Sequence, residues 1–400
     1  MGSSKSNLYD THPREIIFQG QSETENKVKN SNFKYELWLH SITDFPTKLK
    51  IKLYECFPSA KEIYQAKEKQ LKTLGFLEDE KITILLNGQR DESFLRIFDR
   101  LEQESIRFVP WHSLDYPPSL LEMPDYPHGI FIKGNLPCPK RMSIGMVGAR
   151  KCTTYGERCA LEYSKILSQV GFQIISGMAC GIDGISHRGA LLGETPTYAV
   201  LGSGVNVCYP KQNKGLYQDI LHKGGGILSE FLPDTEPLPF HFPMRNRIIS
   251  GLSKVLLVME AKEKSGSLIT ADMALEQGKD IYALPGPVSS SYSKGCHYLI
   301  KQGAGILISP DEFLKDLEVL GGGIYREKCV KNQNCKNNKK IMLDNLQNMV
   351  YSLICFNPKN IHQIVEEMDE PVERVMNALV SLEFEGFVEE VTKNYYVRLE

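Results

Sequence analysis

Seven short apolar runs recur between Arg141 and about Leu320: SIGMVG (143–148), FQIISG (172–177), TYAVLG (197–202), GGILSE (225–230), KVLLVMEA (254–261), DIYALPG (280–286) and AGILIS (304–309). A strand with one wet face shows every second residue polar, and these runs do not. They suit parallel strands covered on both faces. Parallel neighbours need a crossover, and the stretches between the runs carry helical patterning. The expected fold is therefore α/β, a doubly wound, mostly parallel Rossmann-like sheet.

The rest of the chain differs in texture. Residues 33–114 place leucines and aromatics at helical spacing, as in YELWLHSI and ESFLRIFDRLEQ, and predict a helical domain. The stretch DYPPSLLEMPDYPHGIFIKGNLP, punctuated by prolines, reads as an extended connector at the start of a sheet domain covering 115–320. Residues 321–340 hold six basic residues and one acid among glycines and asparagines, the pattern of a flexible basic linker. Residues 341–400 show three helical stretches and then FVEEVTKNYYVRL, which together predict a winged helix. Residues 1–32 lack the apolar core of a signal peptide and read as a disordered tail.

Charge and cysteine usage exclude several classes. A net charge of −2 argues against a uniformly basic coat, so any anion site must be local. Ten cysteines occur without a CxxC pair, and the nearest approach, Cys329 to Cys335, is a poor zinc spacing. Reduced thiols in a cytoplasmic protein without a metal are expected. No apolar run reaches the roughly 20 residues of a membrane span, so no membrane partner is expected. GSGVNV lacks the third glycine of a dinucleotide fingerprint and no GxxxxGK[ST] occurs, so no cofactor is expected either.

In open α/β sheets, ligands bind beyond the carboxyl ends of the strands. Small residues collect there: Gly148 ahead of Arg150, Gly177 ahead of a glycine-studded helix start, Gly202 ahead of YPKQN with Lys211, and Ser265, Gly266 and Ser267 at another helix entry. Small residues admit a ligand to the backbone, and helix N-termini offer free N–H groups to an anion. The stretch FPMRNRIISGLS adds Arg245, Asn246 and Arg247 on the same edge. Buried cations need a counter-charge. It is either a phosphate from outside or a carboxylate such as Glu230 or Glu260, which could hold Arg247 internally. Asp183 and His187, at i and i+4, could form an acid–base couple, although such pairs are more often structural.

GMVGARKCTTYG, IISGMACGIDGISHRGAL, AVLGSGVNVCYPKQN, FPMRNRIISGLSKVLLVMEA, SGSLITADMALEQG and YALPGPVSSSYSKGCHYLIKQGA, in this order over about 115–310, closely resemble the DNA-processing DprA (Smf) family. The resemblance implies a binding protein without catalytic residues. Such a protein takes up and protects incoming single-stranded DNA during natural transformation and loads the recombinase RecA on it. It implies that Arg150 and Lys211 grip the DNA backbone, with Arg245, Asn246 and Arg247 in the same pocket. It also implies a homodimer, with Met273, His297, Leu299 and Ile300 expected at the dimer or RecA contact. Two departures stand out. SITDFP lacks the glycine hairpin of a DNA-contacting helical module. Residues 341–400 carry four basic residues against eleven acids, so the tail suggests a protein-contact module or an acidic lid rather than a DNA reader. Two rival readings remain open: a nucleotide-hydrolysing enzyme of the lonely-guy type, whose PGGxGTxxE motif is missing here, and a nucleotide-sensing regulator.

Overall fold

The computed structural model describes residues 26–319, 345–354, 358–368 and 370–398. The chain forms two compact units, one ahead of and one behind residues 320–344. The stretch read as a basic linker, 321–340, and the first 25 residues lie outside the described residues.

All seven apolar runs form strands, and two more precede them: β1 (Ile106–Pro110), β2 (Gly129–Gly134), β3 (Ser143–Val147), β4 (Gln173–Ser176), β5 (Thr197–Val200), β6 (Gly226–Ser229), β7 (Val255–Val258), β8 (Asp280–Ala283) and β9 (Gly305–Ile306). They make one sheet in the order β1-β2-β6-β5-β4-β3-β7-β8-β9. Strands β3 to β9 pair in parallel throughout, while β2 runs antiparallel to both β6 and β1. The chain winds outward from β3 to β6, then returns to place β7 on the other side of β3. The strand order reverses there, as it does in doubly wound folds.

Strands β1 and β2 correct the sequence reading, which put the first in a helical domain and the second in a connector. IRFVP exposes Arg107 between buried Ile106 and Phe108, a period of two in a run of only five residues. A run that short is outvoted by the helical patterning before it. The tail is corrected as well, because a helix begins at Asn26 and runs to Ser41, inside the stretch expected to be disordered.

Alternation along each strand sends side chains to two cores. Ile130, Ile132, Tyr198, Val200 and Leu228 meet Ile248, Ile249, Ala271, Ala274 and Leu299 on one face. Phe131, Ala199, Leu201 and Ile227 meet Leu216 and Ile220 on the other. Leu37 and Leu101 join that second core, so the front helices Asn26–Ser41 and Ser93–Gln103 cover the sheet beside β1 and β2. Four further front helices close a separate core on Trp38, Phe45, Leu53, Ile63 and Leu85.

Buried polar groups tie the front helices to the sheet. His40 Nε2 donates to the Glu230 carbonyl at 2.8 Å, and Lys50 Nζ donates to the His40 carbonyl at 2.9 Å. Burial, reinforced by Lys50, holds the His40 imidazole down to about 3. Burial also brings the Lys50 ammonium down to about 7 against the pull of Glu230. Both groups bind protons less readily in the folded chain than in the unfolded one, so their contribution to stability grows with pH. For His40 it is complete above about pH 6.5, where the unfolded imidazole is neutral, and is lost on acidification toward its folded value. The melting temperature of the full chain should fall as the pH drops from 6.5 to 4.5, with about 1.4 kcal/mol of stability lost per pH unit through His40, whereas the Lys50 contribution changes only above about pH 7. A melting temperature that is flat across this range contradicts the assignment.

The second unit holds helices Asn345–Leu353, Ile361–Met368 and Val372–Phe384. Strands β10 (Lys359–Asn360), β11 (Val388–Thr392) and β12 (Tyr395–Arg398) form an antiparallel sheet in the order β10-β12-β11. Asn394 takes the left-handed conformation (φ 67°) that turns β11 into β12, a position where an asparagine is tolerated. Val350, Ile364, Val375, Leu379, Leu382, Val388 and Tyr396 give this unit its own core.

Candidate nucleic-acid interface

The stretch HFPMRNRIISGL is a helix, His241–Leu252, lying close to the ends of β3, β4 and β5. Residues two apart on a helix point about 200° away from each other, so Arg245 and Arg247 cannot serve the same site. The structure separates them accordingly.

Arg245 turns toward the sheet. Its guanidinium donates Nη1–H to the Val200 carbonyl at the end of β5, and Nε–H to Asn246 Oδ1 at 3.2 Å. It also lies against Gly177, where a Cβ would come within 2.6 Å of Nη1 and would collide with the Asp183 carboxylate. Burial pushes the Asp183 carboxyl up, while Arg245 and then Arg150 oppose the shift. Burial lowers Arg245 in turn, with Asp183 opposing.

Arg247 turns the other way. Its Nη2 meets Glu230 Oε2 at 2.5 Å and its Nε meets Asp125 Oδ2 at 3.3 Å. This is the internal carboxylate clamp that the sequence left open as one alternative, made by Glu230 and Asp125 rather than Glu260.

Arg245 therefore lines a pocket of roughly 80 Å³ with Arg150, Met178, Cys180, Gly202, Ser203, Tyr209, Pro210 and Phe242. Phe242 lies within reach of both guanidiniums, its ring centroid 5.3 Å from the Arg150 carbon and 5.9 Å from that of Arg245. Arg150 is exposed and makes no ion pair among the described residues. Lys211 opens the short 3-10 helix Lys211–Asn213 immediately after Pro210, so its exposed side chain stands at the rim. Asn213 fixes that loop by donating to the Met178 carbonyl at 2.9 Å. Sequence reasoning missed Phe242 and Tyr209. Phe242 was findable, because it precedes Arg245 by three residues on one helix and so shares its face.

The glycines also make room for neighbouring side chains. A Cβ at Gly148 would press into Ile182 at 2.7 Å, and one at Gly202 into Phe242 at 2.9 Å. Packing demands them. Two of the helix entries are also met from within the protein: the Glu260 carboxylate lies against Gly156 in the first turn of Thr154–Gln169, and Asp183 sits in the first turn of Ile182–Leu191. The third differs. Ser265 caps Gly266–Glu276 by accepting from the Ser267 N–H, its hydroxyl 2.7 Å from that of Ser267, and Gly266 faces open space.

His187 and Asp183 are not a couple. His187 Nε2 donates to the Gly177 carbonyl at 2.7 Å, and Nδ1 lies 2.7 Å from the Thr197 hydroxyl, which itself reaches the Ile174 carbonyl at 2.8 Å. Burial holds this imidazole down to about 4, so it is neutral and bonded at both nitrogens. Among the described residues, no cluster of His, Cys, Asp and Glu could hold a metal ion. No described helix is long and apolar enough to cross a membrane.

Of the residues expected at a dimer or RecA contact, Leu299 belongs to the main core, with Ile300 partly buried against it. His297 Nε2 donates to the Gly286 carbonyl at 2.9 Å. Met273 is half-buried, and Tyr298, between His297 and Leu299, is the exposed side chain of the group.

Comparison with known proteins places this geometry. Residues 107–318, just over half the chain, match the family "DNA recombination-mediator protein A". Protein Smf of Escherichia coli is 45% identical over 218 residues, which cover 54% of this chain and 58% of that protein. The DNA processing protein DprA of Streptococcus pneumoniae is 41% identical over 232 residues, covering 57% of this chain and 81% of its own length. The X-ray structure of the Streptococcus pneumoniae protein superimposes with a TM-score of 0.59 at 33% identity, covering 70% of this chain and 95% of that one. The chain belongs to the DNA recombination-mediator protein A family.

Proposed function

We propose that the chain binds single-stranded DNA through the pocket at the carboxyl ends of β3, β4 and β5, and acts as a recombination mediator during natural transformation. The observation that carries this reading is the pair of guanidiniums, Arg150 and Arg245, gathered with the Phe242 ring in one pocket. Cations that follow a phosphate backbone, set beside an aromatic ring, are the recurring chemistry of single-strand binding. Lys211 extends the positive rim, while Asn246 holds Arg245 rather than the strand. The open N-terminus at Ser265, Gly266 and Ser267 offers backbone N–H groups to a further phosphate.

The protein acts by holding the strand rather than by turnover, since the Asp183–His187 couple that could have supplied acid–base chemistry is spent on structure. Its partners in this reading are RecA, delivered onto the held strand, and a second copy of the chain. The dimer contact is placed on helix Lys294–Lys301, with Tyr298 rather than Leu299 as its exposed anchor. We place the second unit, with its acidic surface, outside the DNA contact, as a winged helix that does not read a groove.

Titrating labelled oligo-dT and a duplex of equal length into the full chain tests the reading. The single strand should bind at least about tenfold more tightly, because a duplex cannot follow a pocket lined on one side by Phe242. Equal affinity, or a preference for duplex, rules the reading out. Adding the protein to RecA and strand-coated oligo-dT should shorten the lag before RecA filaments form, and an unchanged lag removes the loading role.

A further inference from the structure

Helix Val372–Phe384 closes the second unit's core with one face, through Val375, Ala378, Leu379 and Leu382. A line of exposed apolar residues also winds along its solvent side. Val372 and Met376 are each 44% exposed, Val380 is 57% exposed and Phe384 is 94% exposed. The four stand at successive i, i+4 positions, which align them in one stripe about 18 Å long. A surface helix of a globular protein keeps polar residues on its solvent side. A contiguous apolar stripe there marks an interaction surface, and an almost fully exposed phenylalanine is an unusual residue to leave in water.

The surroundings say what kind of partner fits. Glu373 and Glu383 are exposed beside the two ends of the stripe, and Glu389 and Glu390 are exposed on β11. Three of the unit's four Lys and Arg side chains are engaged internally, Arg374 with Glu370 at 2.8 Å, Lys359 with Glu367 at 2.6 Å, and Arg398 over the Tyr351 ring at 3.9 Å, while Lys393 is exposed at the turn between β11 and β12. The stripe is therefore apolar in the middle and negative around it. A second copy of the same face would oppose glutamates to glutamates, and a DNA strand would oppose phosphates to them.

We propose that this stripe docks a basic amphipathic helix of another protein, one with apolar residues every three to four positions and Lys or Arg along their flanks. Such a helix lays its apolar face along the stripe, as in other helix-docking interfaces, and its cations meet Glu373 and Glu383. Val380 and Phe384, the most exposed of the four, are the anchors of the buried area. The proposal is independent of the single-strand pocket, which lies in the other unit.

The probe is a labelled helical peptide of about 18 residues, enough to cover the stripe, with leucines at heptad a and d positions and lysines beside them. A counterpart keeps the leucines and replaces each lysine with glutamate. Both are titrated with the full chain and with the V380Q and F384Q variants, which remove apolar surface without changing charge. The lysine peptide should bind saturably, at least about tenfold more tightly than its counterpart, and each variant should weaken it by about tenfold. Melting temperature and oligo-dT affinity should stay at wild-type values, since both side chains face water. Equal binding of the two peptides overturns the proposal, and so does wild-type binding by both variants, which would make the attraction purely electrostatic. A smaller sedimenting mass for F384Q assigns the stripe to a second copy of the chain, and weaker duplex binding assigns it to DNA. Either result also overturns the proposal.

Discussion

Arg247→Ala lowers the melting temperature of the sheet-bearing unit by about 10 °C and leaves oligo-dT affinity close to wild type. Arg247 and Glu230 are each about one-tenth exposed and meet at 2.5 Å, with Asp125 completing the clamp at 3.3 Å. Removing one partner of a buried pair strands the other charge at a cost of about 3–5 kcal/mol. In a unit of this size each kilocalorie corresponds to about 2–4 °C. Glu230 also follows β6 directly and accepts from His40 through its carbonyl, so the loss reaches the joint with the front helices. Arg247→Lys should recover only part of the stability, because an ammonium cannot bond both carboxylates with the fixed fork of a guanidinium. Thermal melts and oligo-dT titrations on the same samples check this. An unchanged melting temperature with lost DNA binding would move Arg247 from the frame of the protein to its ligand.

Arg150→Ala and Lys211→Ala behave in the opposite way. Each should weaken oligo-dT binding by about tenfold or more, since a charge-assisted hydrogen bond is worth roughly 1.5–3 kcal/mol. Neither should alter the melting temperature, because both side chains are exposed on loops beyond strand ends. Arg150 stacks on Phe242, and that contact is too slight to hold the fold together. Wild-type affinity in both variants would remove them from the interface. The contrast with Arg247 matters most: the two arginines are expected to report separately on binding and on stability.

Much of this was legible from sequence, and for identifiable reasons. The seven strands from β3 to β9 were readable because parallel strands covered on both faces leave unbroken apolar runs, such as KVLLVMEA. Strands β1 and β2 were not, because their few residues sit beside a helical domain and among prolines. Arg150 and Lys211 could be placed at the carboxyl edge from the order of runs and loops alone. The roles of Arg245 and Arg247 could not be told apart while FPMRNRIISGLS had no secondary structure assigned to it; once it is a helix, the two-residue offset separates them. The packing roles of Gly148 and Gly202 were hidden for a different reason. A glycine at a strand end looks the same in sequence whether it admits a ligand or makes room for Ile182 or Phe242. The spacing of Asp183 and His187 was real, but the hydroxyl of Thr197 and the carbonyl of Gly177 take the imidazole, and neither partner is visible in a local motif.

The central claim is that Arg150, Arg245 and Lys211 hold DNA phosphates, and the salt dependence of oligo-dT binding tests it most directly. Each phosphate contact on a single strand releases condensed counterions and contributes about −0.7 to the slope of log affinity against log salt. The account predicts a steep negative slope for the wild-type chain and a slope shallower by about 0.7 for Arg150→Ala. A flat wild-type response, or a variant whose slope equals that of the wild type, contradicts it.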